Sequence, residues 1–449
     1  MYDLGIIGAG PAGYVAAERA GHKGLKVVVF DKRHLGGVCL NEGCIPTKTL
    51  LYTAKLYENA LYGEKYGISC SNVSFDMGKI MDRKNKVVKK LVGGVASSLK
   101  SAKAEVVFSE ARIEERKSDC IVILAGEQTY ECKNLLVATG SEAAIPPIKG
   151  LEKANACTNR EILQMKEIPE SINIIGGGVI GIEFAGFYNS MGAKVNVFEM
   201  LDEILPGVDK ELCVMLRNEL TKKGVDFYLG AKVEKVKGNT VLVSTKDGSS
   251  EIQADKLLVA AGRKVNVEGI GLEKTGVEFS AKGIKIDNRC RTNIPNIYAA
   301  GDITGFSMLA HTAYREAEVA VNNMAGVKDI MRYDAIPGVV YTNPEIAWAG
   351  MTEEEAVNRG VRFIKASLSL AYAGRFVAEN EGKNGLIKII AGEKYGEILG
   401  VHIIGNPSSE LIYGAAMAIE MQMRIKDFRE IVFPHPTVSE IFKEIAFNF

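Results

Sequence analysis

The sequence predicts an α/β chain of two similar parallel-sheet units followed by an α+β unit. Three observations carry this. A strand, glycine turn, helix and strand occur twice in the same order; each set later reaches a hairpin and a nearly identical strand-and-turn segment; and the last third alternates differently. At 449 residues the chain exceeds one hydrophobic core and corresponds to about three domains.

The first set opens with the apolar run DLGII, turns through GAGPAG, continues as a helical stretch to Gly21 and returns in KVVVF, ending at Asp31. The second opens with INII, turns through GGGVIG, runs as a helical stretch to Met191 and returns in KVNVF before Glu199. The hairpins follow as IVILAGEQTYEC and VLVSTKDGSSEI, the second with Asp247-Gly248 as a two-residue turn. LLVATG at 135–140 and LLVAAG at 257–262 close the repeat. From about Tyr333, GLIKIIAG, EILGVHIIG and the helix-like SELIYGAAMAIEMQM read as the α+β unit.

Bulk properties exclude several classes of function. Lys plus Arg and Asp plus Glu number 55 each, so no net field attracts nucleic acid or an anionic membrane. The 47% hydrophobic and 24% charged content is that of a soluble globular protein. The start MYDLGIIGAG lacks the parts of a secretion signal, and INIIGGGVIGIEFAGFY, with Asn173 and Glu183, makes a poor membrane span; the expected location is the cytoplasm. Eight cysteines are too few for a disulfide scaffold. Cys70, Cys120, Cys132, Cys157, Cys213 and Cys290 stand singly and read as ordinary reduced thiols.

Gly8, Gly10 and Gly13 spell G-x-G-x-x-G between a strand and a helix. The first glycine permits the tight turn, the second lets backbone approach a pyrophosphate at the helix N-terminus, and the third lets helix and strand pack closely. Asp31 stands where a carboxylate accepts hydrogen bonds from a ribose. Gly176, Gly178 and Gly181 repeat the motif, with Glu199 as the acid. Two Rossmann-like dinucleotide sites in one chain imply two cofactors that exchange electrons. Glu199 repels the extra phosphate of NADP, and the following MLDEILP supplies no Arg or Lys to neutralise it, which favours NAD.

GGVCLNEGCIPTK, residues 36–48, holds the one local cysteine pair, Cys39 and Cys44, in a stretch that reads as a loop. No second Cys or His cluster supplies a zinc ion with four ligands, so no metal is expected. A structural staple fits poorly with a reducing compartment. Five residues of regular helix rise about 7.5 Å, beyond the roughly 6.8 Å limit of Cα separation in a disulfide. A bond between these sulfurs therefore needs a break in the helix, which Gly43 makes easier, and a bond so constrained opens readily to a thiolate. Redox chemistry is the preferred reading.

These segments together resemble the pyridine nucleotide–disulfide oxidoreductases along the whole chain: first fingerprint, C-x-x-x-x-C, LLVATGS, second fingerprint, LLVAAGR, NIYAAGDITGFSMLAH and PHPTVSE. The resemblance implies an FAD-binding domain over 1–145 and 266–332, an NAD-binding domain over 146–265 and an interface domain over 333–449. It places FAD on Gly8, Gly10, Gly13, Asp31, Lys48, Gly140, Asp302 and His311, and NAD on Gly176, Gly178, Gly181, Glu199 and Gly262. Lys48 and Glu183 resemble the family's ion pair beside the reactive flavin nitrogen, and His435 with Glu440 its base and orienter, supplied across a homodimer. The implied activity is oxidation of protein-bound dihydrolipoyl groups with reduction of NAD+. The implied partner is a lipoylated carrier of a 2-oxo acid dehydrogenase complex or of the glycine cleavage system. The alternatives are an NAD(P)H-dependent reductase of a small disulfide such as glutathione disulfide, and a flavin-binding interaction subunit without turnover. Two departures stand out: Val38 replaces a common Thr, and Phe433-Pro434 precede His435 where His-Ala is frequent.

Overall fold

The computed structural model describes residues 1–246, 248–380, 382 and 384–449. The first unit begins with β1 (Tyr2–Ile7), α1 (Pro11–His22), β2 (Val27–Asp31), α2 (Gly37–Glu42), α3 (Cys44–Leu61) and α4 (Met77–Ser101). Strands β3 (Glu105–Phe108), β4 (Ala111–Arg116), β5 (Ile121–Ala125) and β6 (Gln128–Val137) complete a sheet in the order β3-β2-β1-β6-β5-β4, with Ile297–Ala299 pairing on β6. The runs VVVF and LGII form its centre because a parallel sheet covered on both faces needs strands apolar throughout; Ile6, Val28, Val29 and Phe30 are fully buried.

The second unit repeats this order. After β7 (Ser141–Ala143) and α5 (Asn159–Ile162) come β8 (Ser171–Ile175), α6 (Val179–Ser190), β9 (Lys194–Phe198), α7 (Lys210–Lys222) and β10 (Val225–Tyr228). A separate antiparallel sheet of β11 (Lys232–Lys237), β12 (Thr240–Thr245) and β13 (Gly248–Ile252) follows, then β14 (Lys256–Val259) and β15 (Arg263–Val265). The parallel sheet runs β10-β9-β8-β14, so β14 stands beside β8 as β6 stands beside β1. Asp247, half of the expected Asp247-Gly248 turn, lies outside the described residues.

The third unit is a five-stranded antiparallel sheet ordered Gly338–Val340, Ile346–Gly350, Ile398–Ile404, Leu386–Gly392 and Phe363–Ser369, with the helix Ser408–Glu420 packed on it. Helix α8 (Ala310–Met324), which precedes it, packs against α1.

Two buried polar junctions tie the units together. Glu58, near the end of α3, accepts from Ser190 Oγ (2.7 Å), Lys223 Nζ (2.9 and 3.2 Å) and Asn343 Nδ2 (2.8 Å). One carboxylate thus joins α3 to the second and third units. Lys388, on the strand Leu386–Gly392, lies 3.0 Å from Asp209, 2.8 Å from Glu211 and 2.8 Å from Glu353. Burial opposes its charge, but these carboxylates hold its pKa well above the ordinary lysine value. Lys388→Met strands the buried Asp209 without its cation. The expected loss is about 3–5 kcal/mol, read from the midpoint of urea unfolding; an unchanged midpoint would show the cluster to be neutral.

Candidate active site

Both glycine turns open into one cavity of about 1280 Å3, larger than the roughly 300–1,000 Å3 typical of a site for one small molecule. Gly8, Gly10 and Asp31 line it, as do Gly176, Gly178 and Glu199, and Gly140 and Gly262 from the two closing segments. The turns superpose in their chemistry. Gly8 has φ +107° and Gly176 φ +110°, and a Cβ there would stand 2.2 Å from Ala138 O and 2.4 Å from Ala260 O. A Cβ on Gly13 would lie 1.8 Å from Gly8 O, and one on Gly181 2.0 Å from Gly176 O. Helices α1 and α6 begin at Gly10 and Gly178 with no side-chain cap, so their first N–H groups stay available to an anion.

The acids are placed alike as well. Ala9 N–H donates to Asp31 Oδ2 (2.8 Å) and Arg33 N–H to Oδ1 (2.7 Å); Gly177 N–H donates to Glu199 Oε2 (2.7 Å) and Leu201 N–H to Oε1 (2.8 Å). Each carboxylate therefore braces its own turn; Asp31 Oδ1 also accepts from His34 N–H (3.1 Å), while Asp31 Oδ2 and both Glu199 oxygens keep a lone pair for a ribose hydroxyl. Two such cradles in one cavity fit two dinucleotides.

The segment with Cys39 and Cys44 is helical, not the loop expected from its glycines and proline. Cys39 lies in α2, Cys44 is the first residue of α3, and Gly43 between them has φ −149° and ψ −110°. The helix is broken where bonding of the sulfurs requires it. Both cysteines line the cavity as free thiols. Interaction with Cys44, followed by burial, pushes the Cys39 thiol up, whereas Cys39 and the nearby Lys48 ammonium pull Cys44 down to about 7 against its burial. Its place at a helix N-terminus favours the same charge.

The pH consequence has a definite sign. With a lowered pKa, Cys44 is thiolate above about pH 7 and loses that charge as pH falls through it. Site-resolved alkylation of the reduced holoprotein is expected to reach half its maximal rate at Cys44 near that pH, and at Cys39 only in far more alkaline solution. Coincident profiles would contradict the assignment.

Lys48, one turn into α3, donates to both oxygens of Glu183 on α6 (3.0 and 2.8 Å). Glu183 is buried and also accepts from Tyr341 N–H (3.0 Å), while Lys48 Nζ stands 4.6 Å from the centre of the Tyr341 ring. Burial opposes the ammonium, but the carboxylate raises its pKa overall. Asp302 lines the cavity and accepts from Ser141 Oγ (2.5 Å); Arg263 Nε donates to Ser141 Oγ (2.7 Å) and lies 3.7 Å from Asp302. Ser141 and Arg263 were missed as site residues, although they close the quoted LLVATGS and LLVAAGR.

Five predicted residues, Gly13, Gly181, His311, His435 and Glu440, do not line the cavity. His311 bonds through Nε2 to Pro337 O (2.7 Å) and does not line the cavity, although its neighbours Leu309 and Ala310 do. His435 bonds through Nδ1 to Glu440 Oε1 (2.8 Å), with Glu440 Oε2 accepting Thr437 N–H (2.9 Å). The backbone bond, then the imidazole, holds the Glu440 carboxyl below its ordinary pKa. The His435 ring is 79% exposed and lies outside the cavity of its own chain. Among the described residues no cluster able to hold a metal ion occurs, and no helix is long and apolar enough to cross a membrane.

The sequence profile of the pyridine nucleotide–disulphide oxidoreductases matches residues 2–317, and that of the family's dimerisation domain matches residues 336–446. The chain belongs to this family. It is an oxidoreductase with the family's FAD and NAD as cofactors, as the resemblance implied, and it carries the dimerisation domain. Dihydrolipoyl dehydrogenases of Bacillus subtilis (strain 168) and Geobacillus stearothermophilus are 40% and 39% identical to this oxidoreductase. The matches cover 99% and 98% of the chain and 95% and 94% of the relatives. The crystal structure of LpdA from Mycobacterium tuberculosis matches with a TM-score of 0.91 at 25% identity, covering 99% of both chains. The flavoprotein disulfide reductase RclA of Escherichia coli matches at 0.87 and 26% over 99% of both.

Proposed function

We propose that this oxidoreductase converts protein-bound dihydrolipoyl groups to their disulfide and reduces NAD+ to NADH, as a homodimer whose two chains share each active site. The observation that supports this most is the separation of the base from the thiols. The cysteine pair faces the cavity, while the oriented His435–Glu440 pair stands exposed on the unit that matches the dimerisation domain. A second copy supplies the missing base. The identity to dihydrolipoyl dehydrogenases along nearly the whole chain favours a dihydrolipoyl donor over glutathione.

Because Nδ1 of His435 is engaged by Glu440, the ring is held in one orientation with Nε2 free to take a proton. Nε2 from the second copy takes the proton of one substrate thiol. The resulting thiolate attacks Cys39 Sγ, the Cys39–Cys44 bond breaks, and its electron pair stays on Cys44, whose low pKa suits a leaving group. The imidazolium gives its proton to Cys39 as that sulfur leaves, and the freed Nε2 takes the proton of the second substrate thiol, which attacks the substrate sulfur bonded to Cys39. The cyclic disulfide departs, with one of the two protons on Cys39 and the other on the imidazolium. Two electrons and two protons have left the substrate, and the pair holds both electrons as a Cys44 thiolate and a Cys39 thiol. FAD held on the Gly8–Gly10 turn and Asp31 would supply the acceptor for such a pair, and NAD held on the Gly176–Gly178 turn and Glu199 the acceptor for hydride. Lys48, fixed by Glu183, places a cation beside Cys44 throughout.

The physiological donor in this reading is a lipoylated carrier of a 2-oxo acid dehydrogenase complex or of the glycine cleavage system, in the cytoplasm. The holoenzyme is expected to reduce NAD+ with dihydrolipoamide, and NADP+ far more slowly because Glu199 opposes the added phosphate. Turnover of glutathione disulfide with NADPH but not of dihydrolipoamide with NAD+ would overturn the reading.

A further inference from the structure

The helix break between the two cysteines is gripped from the second unit. Glu42 closes α2, Gly43 makes the break and Cys44 opens α3, so the Glu42 carbonyl belongs to the peptide plane that enters the break. Four residues on stands Pro46, which has no N–H, and no α-helical bond reaches that carbonyl. Asn159 Nδ2 donates to it instead, at 2.7 Å. The Glu42 side chain is largely buried, and its carboxylate sits at the end of a helix where the dipole disfavours an acid. Arg160 Nη2 meets it at 2.9 Å, with Arg33 Nη1 at 3.8 Å. Two consecutive residues of α5 thus fix both the main chain and the side chain of Glu42.

The grip is itself anchored. Thr158 and Glu161 form a capping box at the start of α5. Just before it, Cys157 N–H donates to Leu257 O and Val259 N–H to Cys157 O, each at 2.8 Å, which ties α5 to β14. Helix α2, in contrast, has six residues, too few to hold its own shape. At its start Gly10 packs on Gly37, and Asn41 Nδ2 donates to Leu35 O (3.0 Å) and Gly37 O (2.8 Å). At its end Asn159 and Arg160 supply the hold. A bond between Cys39 and Cys44 depends on that end, because regular helix would keep their Cα atoms too far apart.

We propose that Asn159 and Arg160 are positioning residues for the cysteine pair: by fixing Glu42 they hold the break at Gly43 in the form that lets Cys39 and Cys44 bond, and so set the potential of the pair. Without them the end of α2 is free, the two sulfurs spend less time within bonding distance, and the disulfide forms less readily. This role presupposes the redox couple of the proposed function, but not which dithiol reduces it.

The test is the equilibrium of the pair in holoenzyme with graded mixtures of reduced and oxidised dithiothreitol, between which two electrons and two protons pass to or from the cysteines. After alkylation, peptide mass spectrometry reads the fraction of Cys39–Cys44 disulfide. Asn159→Ala and Arg160→Met are each expected to lower the constant for disulfide formation about threefold, and the double variant about tenfold, an upward shift in potential of about 30 mV. The Arg160 side chain is 43% exposed and the capping box uses neither replaced side chain, so α5 stays in place. Arg217→Met, which breaks the 2.9 Å pair of Arg217 on α7 with Glu203, is expected to keep the wild-type constant. Wild-type constants in the Asn159 and Arg160 variants, or an equal shift in Arg217→Met, would overturn the proposal. Absence of a Cys39–Cys44 disulfide from the oxidised wild type would overturn the redox couple and this role with it. Failure to turn over dihydrolipoamide would sink the substrate reading alone, because dithiothreitol reports the constants without it.

Discussion

Cys44→Ser is expected to abolish NAD+ reduction by dihydrolipoamide, a loss of about 10⁴–10⁶-fold, while the protein still retains FAD. The reason lies in three features of Cys44. In the proposed steps it is the half of the pair that receives the electrons; it begins α3 where backbone N–H groups favour a negative sulfur, and Lys48 sits one turn further along the same helix. A serine fits the space but forms no bond to Cys39 and stays protonated. The cradles that fit the dinucleotides are made of backbone, of Asp31 and Glu199, and of uncapped helix ends, none of which the substitution touches. Full activity in the variant would remove the cysteine pair from the mechanism.

His435→Gln is expected to slow the thiol half-reaction by about 10²–10⁴-fold, the usual worth of a positioned base, and to leave reduction of the flavin by NADH within about twofold. Glutamine still hydrogen-bonds Glu440 but takes no proton at neutral pH. The ring is largely exposed, so loss of fold does not explain a loss of rate. Mixed dimers separate a shared site from one confined to a chain. Co-refolding His435→Gln with Cys44→Ser gives hybrids in which one of two sites joins an intact pair to an intact base, so about a quarter of wild-type activity returns. With both groups acting within one chain, none returns.

Much of this was legible in the sequence, and the reasons are local. A glycine forced to positive φ against a neighbouring carbonyl, as at Gly8 and Gly176, leaves a signature within a few residues. So does a cysteine pair separated by a residue that breaks a helix. The helix over residues 37–42 was not legible, because its glycines and short length imitate a loop and distant partners hold it: Gly10 packed on Gly37, Asn159 bonded to Glu42 O and Arg160 paired with the Glu42 carboxylate. Contacts between distant segments were silent too. Glu58 joins Asn343 across 285 positions, and no pattern near either residue announces the other. Arg263, Ser141 and Asp302 meet in the same way. At His311 the motif fixes the position in the chain but not the rotamer, and Nε2 bonds Pro337 O.

The central claim is that Cys39 and Cys44 alternate between a disulfide and free thiols during turnover. Peptide mass spectrometry of the alkylated, digested holoenzyme addresses it directly. The account predicts a peptide linked through Cys39 and Cys44 in the oxidised protein, and its replacement by two alkylated cysteines after anaerobic addition of dihydrolipoamide or NADH. An identical peptide pattern before and after either reductant would contradict it.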